Sequence, residues 1–302
     1  MAKRNFKDEF KKAKAGDPES QNYVACCYKD GFDADDKPPA VKKDIKKSIH
    51  WYELAASVGN LKAHFNLAQI YKEGEGVQQS GDKFLEYMVP VAETGDLEAI
   101  AAVVGAYSTG LCEQDDAQFV FWLGKAVNHP DARNEEYVSY GSLSYNYGYR
   151  QLAGMGCQSN AEEGIRWLRL AMEAGDAQAC YEISRYYYGA DDFGAGVLFK
   201  EDEGKARQLL ETSAEKGFLP AQTVASQLYV DGNRGFPVDT KKAFKWCKRA
   251  AEQGDNQSMF RLGCMFRDGT GVEANKELSN YWFDESLADG GVVTGVICTD
   301  KE

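Results

Sequence analysis

Apolar and small residues recur along most of the chain at the spacing of an amphipathic helix. The clearest stretch is 239–254, in which one helical face carries Ala243, Trp246, Ala250 and Ala251. Asp239 precedes this face and can accept a backbone N–H of the first turn. Gly254 follows the face and suits a left-handed stop. The stretch therefore predicts one complete helix, which we call helix B.

The helix B pattern returns along the whole chain. Its stop glycines are Gly16, Gly59, Gly95, Gly175, Gly217, Gly254 and Gly290, and one degenerate boundary lies near His129–Asp131. A bulky residue stands at one register before these boundaries: Trp51, Tyr87, Trp122, Trp167, Leu209, Trp246 and Trp282. Seven residues earlier stands a residue able to cap a helix: Asp44, Ser80, Asp115, Asn160, Asp202, Asp239 and Asn275. A period of this length is typical of repeat proteins.

A second helix, helix A, fills the other half of each unit. It ends in an aromatic residue followed three positions later by glycine: Tyr28/Gly31, Tyr71/Gly74, Tyr107/Gly110, Tyr186/Gly189, Tyr229/Gly232 and Phe266/Gly269. In the fourth unit Tyr145/Gly148 fits this rule. However, residues 154–157 match the Gly-x-Gly loop that follows helix A in other units, as at 74–77 and 269–272. We expect helix A of that unit to continue towards Gly154.

These paired helices resemble the Sel-one-like repeat, a longer relative of the tetratricopeptide repeat. The resemblance rests on a small-x-x-aromatic-x-x-Gly-x-Gly-Val loop followed by Trp-x-x-x-Ala-Ala-x-x-Gly, and it covers about residues 17–290. It implies an all-α fold, a right-handed α/α solenoid superhelix of about seven helix-pair repeats with short terminal caps. The expected segments are a capping helix at 1–16, repeats at 17–59, 60–95, 96–132, 133–175, 176–217, 218–254 and 255–290, and a cap or tail at 291–302.

The charge is unevenly distributed. The chain carries a net −12, yet residues 1–16 contain six basic and two acidic side chains. An acidic surface repels phosphate backbones, so we expect no nucleic acid partner. It favours a basic protein partner, although the charge can also serve solubility alone. The lysines near the start, Lys3, Lys7, Lys11, Lys12 and Lys14, are interpreted as a solvated helix face, and the less favoured alternative is a membrane-surface role.

The sequence contains no apolar run of membrane-spanning length and begins without an apolar signal core. Eight cysteines are scattered without a Cys-x-x-Cys pair or a regular spacing, which favours reduced thiols. The resemblance implies regularly spaced disulfides only in secreted relatives. We therefore expect a cytoplasmic location, in a bacterium.

Catalytic and metal-binding patterns are lacking in the sequence. His50, His64 and His129 fall in different repeats, and no zinc or phosphate-binding motif occurs. The acidic group Asp33, Asp35 and Asp36 lacks the ligand spacing of a calcium loop. We expect no catalytic residue, no metal and no cofactor.

Tyrosines are concentrated in the fourth and fifth repeats. Tyr187 follows the packing position of Tyr186 by about 100° and should leave the core. Helix A lines the concave surface of tetratricopeptide-like solenoids, so the predicted partner-binding residues are Tyr145, Tyr149, Tyr187, Tyr188, Phe65 and Phe260. The alternative is that the tyrosines pack between repeats. The long apolar loop 190–201 lies beside them.

The expected function is a non-catalytic scaffold or adaptor that binds a peptide or protein on its concave surface. The alternative is a bacterial immunity protein that occludes a secreted toxin, and a hydrolase is less favoured. The sequence identifies neither the partner nor the oligomeric state.

Overall fold

The computed structural model describes residues 5–31, 41–134 and 139–288, and every regular element in them is helical. The chain divides into two compact units, Met1–Val138 and Ser139–Glu302. The first contains α1 Phe6–Lys14, α2 Pro18–Asp30, α3 Ile45–Ala56, α4 Leu61–Glu73, α5 Gly81–Ala92, α6 Leu97–Ser108 and α7 Asp116–Val127. The second contains α8 Tyr140–Ala153, α9 Ala161–Glu173, α10 Ala177–Tyr187, α11 Glu203–Glu215, α12 Leu219–Asp231, α13 Thr240–Glu252, α14 Asn256–Asp268 and α15 Lys276–Leu287.

Within each unit the principal packing joins helices that follow each other in the chain. Helices α2 to α15 form seven successive A/B pairs, and α1 packs on α2 ahead of the first pair. This is the local packing of a helical solenoid. The all-α fold of about seven repeats is confirmed, while the exact repeat boundaries stay a prediction. Gly290, the segment 291–302 and the acidic group at 33–36 lie outside the described residues.

All seven predicted capping residues begin a helix B. Each side chain accepts a hydrogen bond from the backbone N–H three residues later, at 2.9–3.3 Å. The described stop glycines have φ between +85° and +95°, a conformation that disfavours side chains. In the fourth repeat α8 ends at Ala153, and Gly154 is left-handed. The prediction of a long helix A there is confirmed.

Burial at the bulky register is less uniform than its residue types suggest. Trp122, Trp167 and Trp246 are almost fully buried, whereas Trp51, Tyr87, Leu209 and Trp282 are only half-buried. The following position is the more consistent core position, with full burial of Tyr52, Met88, Leu123, Leu168, Leu210 and Cys247. In six of the seven repeats the residue directly after the bulky position therefore points more fully into the core.

The cysteines differ in state. Six are free thiols: Cys26, Cys27, Cys112, Cys157, Cys180 and Cys247. Burial raises the pKa of the Cys247 thiol to about 12, which disfavours the reactive thiolate. Cys264 is disulfide-bonded, so the expectation of reduced thiols is wrong at this position. Cys298 lies outside the described residues.

Candidate functional site

The second unit brings four of its helix A tyrosines into one cluster. Tyr145 and Tyr149, one helical turn apart on α8, stack with ring centroids 6.0 Å apart. Tyr186 and Tyr187 end α10, and Tyr145, Tyr186 and Tyr187 pack on the same apolar core. We call Tyr145, Tyr149, Tyr186 and Tyr187 the tyrosine cluster.

The loop after α10 folds back over the tyrosine cluster. Phe199 stacks on Tyr186 at 5.2 Å and meets Tyr187 edge-on at 5.1 Å. Phe193 meets Tyr149 edge-on at 5.8 Å. The expectation that Tyr187 leaves the core is wrong, because Phe199 of the loop adds a second apolar layer on that side of α10. The cluster therefore packs largely against its own loop.

Polar contacts hold this loop in place. Arg185 of α10 forms ion pairs with Glu182, one turn earlier, and with Asp192 of the loop. The Asp191 carboxylate accepts the backbone N–H of Gly196 at 2.8 Å. Phe193 has φ of +58°, a strained value for a non-glycine residue. The loop is thus an ordered surface that leaves Val197 82% exposed.

A cleft of about 360 Å³ lies on the other side of this loop, between α10 and α12. We call it the α10–α12 cleft. Its lining includes Tyr181, Arg185, Tyr188, Val224, Leu228 and Arg234. The residues that line it include two arginines and no acidic side chain. Such a mixture of apolar walls and a few convergent polar groups is typical of a binding site.

Tyr188 and Arg234 form one edge of the cleft. The Tyr188 hydroxyl donates to the Arg234 carbonyl oxygen at 3.3 Å, and the Arg234 guanidinium lies 5.5 Å from the centroid of the Tyr188 ring. Arg207 of α11 donates to the neighbouring Gly235 carbonyl at 2.8 Å. Arg234 has φ of +49°. Strained backbone therefore occurs on both segments that flank the cleft, as is common at functional sites.

Burial dominates the electrostatics of this region. It raises the pKa of Tyr186 and of Tyr188 to about 12, with nearby carboxylates adding to the effect, so both hydroxyls are neutral donors at physiological pH. Burial also raises the pKa of the Glu182 carboxyl, because the attraction of Arg185 only partly offsets the loss of hydration.

The raised pKa of Glu182 predicts a pH dependence of stability. Because the folded state holds this proton more tightly than the unfolded chain, its contribution is complete below the unfolded pKa of about 4.3 and is lost as pH rises through the folded pKa. We expect Glu182→Gln to flatten the pH profile of the unfolding free energy above the unfolded pKa of about 4.3. Urea unfolding across this range measures the effect, with exposed Glu277→Gln as the control. A profile identical to that of the unmodified protein would contradict this assignment.

The remaining predicted contact residues do not join the cleft. Phe65 lies on α4 of the first unit and is half-buried. Phe260 lies on α14 and packs against Phe283 of α15 at 5.1 Å. The sequence analysis missed Tyr181, Arg185 and Arg234. The spacing of Tyr181, Arg185 and Tyr188 along one helix face could have indicated the first two, whereas Arg234 is brought in only by the fold.

The histidines remain apart in the structure, with His50 on α3, His64 on α4 and His129 in the turn after α7. In the described ranges, no group of three or more His, Cys, Asp or Glu side chains is placed to hold a metal ion. Among the same residues, no helix is both long enough and apolar enough to cross a membrane.

Stacked helix pairs with a periodic cap, bulky residue and stop glycine define an α-helical repeat protein. The Sel1 repeat family model matches residues 18–60, 61–87, 144–176, 177–218, 220–255 and 256–290, well over half of the chain. The chain therefore belongs to the Sel1 repeat family, as the sequence resemblance indicated. The unmatched interval 88–143 contains α6 and α7, which form a helix pair with the expected cap at Asp115.

Solved structures show the same fold. The chain is similar to a Sel1 repeat protein from Oxalobacter formigenes, with a TM-score of 0.71, 24% identity, and coverage of 97% of this chain and 80% of that one. It also resembles c5321, a protective antigen of uropathogenic Escherichia coli with an SLR fold, with a TM-score of 0.57, 20% identity, and coverage of 93% and 63%.

Curated relatives are named as regulators. The chain is 24% identical to chitin synthase regulator SKT5 of Saccharomyces cerevisiae, covering 81% of this chain and 40% of that protein. It is 24% identical to chitin synthase regulatory factor 3 of Schizosaccharomyces pombe, covering 82% and 26%. The chain thus spans less than half the length of either relative. Because these relatives are fungal, the expectation of a bacterial protein is contradicted.

Proposed function

We propose that this chain is a regulatory adaptor that binds a protein partner through the α10–α12 cleft. Its repeats provide a stacked helical scaffold, and the relatives named as chitin synthase regulators support a regulatory role rather than a reaction of its own. The observation that carries the proposal is the cleft itself, because it combines apolar walls with aromatic and guanidinium groups from two neighbouring repeats.

The chemistry of the cleft favours a particular kind of partner segment. Tyrosine and arginine are the residue types that supply most binding energy at protein interfaces. Arg185 is already paired with Glu182 and Asp192, so Arg234 is the guanidinium of the lining that can pair with an acidic side chain of the partner segment.

The function is tested by affinity purification of the tagged full chain from its own cells, with quantitative mass spectrometry. We expect Tyr188→Ala combined with Arg234→Ala to lower recovery of the partner at least tenfold, because loss of one such anchor commonly costs about 2 kcal/mol or more. Tyr281→Ala is the control, since Tyr281 is 51% exposed on α15 and does not line the cleft.

A second measurement locates the contact. The partner identified in this way is divided into overlapping synthetic peptides, and binding to each is measured by fluorescence anisotropy. The proposal requires that the tightest peptide contain an acidic residue and that replacing this residue with Ala weaken binding to the unmodified chain. Equal recovery of the partner by the double variant and by Tyr281→Ala would overturn the assignment of the cleft.

A further inference from the structure

The first unit carries a second surface, formed by α1, the end of α2 and the first two turns of α3. Four half-buried aromatic rings form a continuous strip across it. Phe6 stacks on Phe10 at 5.6 Å and meets Tyr28 edge-on at 6.1 Å, while Phe10 meets Trp51 edge-on at 5.6 Å. We call Phe6, Phe10, Tyr28 and Trp51 the aromatic strip.

Lysines border the aromatic strip at both ends. The Lys14 ammonium lies 4.6 Å from the Phe10 ring centroid, and the Lys47 ammonium lies 5.5 Å from that of Tyr28. Lys7 and Lys11 are exposed and follow the two phenylalanines by one residue each on α1. Lys46 is exposed in the first turn of α3.

This concentration of positive charge contrasts with the rest of the chain. In the described parts of these segments, residues 5–16 carry four lysines and two acidic side chains, and residues 41–50 carry four lysines and one aspartate, in a protein of net charge −12. Some of this charge is neutralised locally, since Lys12 pairs with Glu9 and Lys47 with Asp44. A surplus remains on Lys7, Lys11, Lys14 and Lys46, which border the strip.

We infer that the aromatic strip and its lysines form a docking surface for an anionic lipid membrane. Lysines near a negatively charged bilayer are attracted to it, and partly buried aromatic side chains suit the headgroup region. The apolar face of α1 is already packed on α2 and α3, so binding is peripheral and reversible rather than insertion of the helix.

The test is co-sedimentation of the full chain with vesicles of phosphatidylcholine containing 30% phosphatidylserine, and with vesicles of phosphatidylcholine alone. We expect binding to the anionic vesicles only, with a marked loss between about 50 and 300 mM salt because exposed charges are screened. Lys7→Gln/Lys11→Gln/Lys14→Gln should lower the partition coefficient at least tenfold. The matched control is Lys241→Gln/Lys248→Gln/Lys276→Gln, which removes the same charge from exposed positions of the second unit and should change binding less than twofold.

Circular dichroism of both triple variants verifies that helix content is retained. Equal loss in the two variants, or no binding of the unmodified chain to anionic vesicles, overturns the inference. The inference is also overturned if the chain binds polyglutamate or transfer RNA through Lys7, Lys11 and Lys14 but does not bind vesicles. The surface would then bind an acidic protein or a nucleic acid. The Tyr188→Ala/Arg234→Ala variant should bind vesicles normally, so this test is independent of the α10–α12 cleft.

Discussion

Replacing Trp167 with alanine is expected to destabilise the second unit by about 3–5 kcal/mol, since this side chain is only 3% exposed. Its indole N–H donates to the Glu163 carboxylate at 2.8 Å, and Tyr147 packs edge-on against its ring at 5.4 Å. The backbone of Gly148 on α8 also lies close to its base: a Cβ at Gly148 would lie 2.9 Å from the Trp167 Cβ. Truncation therefore removes the packing of this ring between α8 and α9 and leaves a cavity there.

The effect should stay local. Because the principal contacts of each helix are with its neighbours in the chain, hydrogen exchange measured by mass spectrometry should show faster exchange in α8, α9 and α10 and little change in the first unit. Tyr281→Ala, at a 51% exposed aromatic residue of the same unit, should cost less than about 1 kcal/mol. Complete loss of helix in Trp167→Ala at 25 °C would contradict this picture, in which the stability of the chain is a sum of contributions from neighbouring helix pairs.

Gly271→Ala is expected to lower the free energy of unfolding by about 2–5 kcal/mol, although it adds only one methyl group. Gly271 has φ of +74°, and a Cβ built there lies 2.0 Å from the backbone oxygen of Thr240 at the start of α13. A left-handed conformation costs an alanine about 1–2 kcal/mol, and the contact forces the loop after α14 away from α13 at a further cost of about 1–3 kcal/mol.

Gly254→Ala provides the matched control for this prediction. Its φ of +90° imposes a similar backbone penalty, but no heavy atom lies within 4 Å of the added Cβ. In urea unfolding followed by circular dichroism, the free energy of unfolding of the Gly254 variant should be about 1–2 kcal/mol lower than that of the unmodified protein. That of the Gly271 variant should be clearly lower still. Equal losses would mean that the backbone conformation alone, rather than the close approach to α13, makes glycine necessary at 271.

The periodic features of this protein are determined by local sequence. A capping side chain such as that of Asp239 accepts a hydrogen bond from a backbone N–H three residues away, and a stop glycine such as Gly254 adopts a conformation that is unfavourable for other residues. Both therefore act within one turn of the chain. The helix pairs, the long α8 and the repeat family could therefore be predicted without coordinates. That Tyr52 is fully buried while its neighbour Trp51 is only half-buried could be learned only from the packing of the helices.

The candidate binding surfaces were decided by tertiary structure. Periodicity places Tyr187 away from its own helix's core face, but Phe199 returns from an irregular loop and covers it. Arg234 reaches Tyr188 only because the loop after α12 lies beside the end of α10, and no local pattern encodes a contact 46 residues away in the chain. Helix signals depend on neighbours within a few residues, whereas the position of an irregular loop depends on every surface it packs against. The repeats could be predicted for that reason, and the α10–α12 cleft could not.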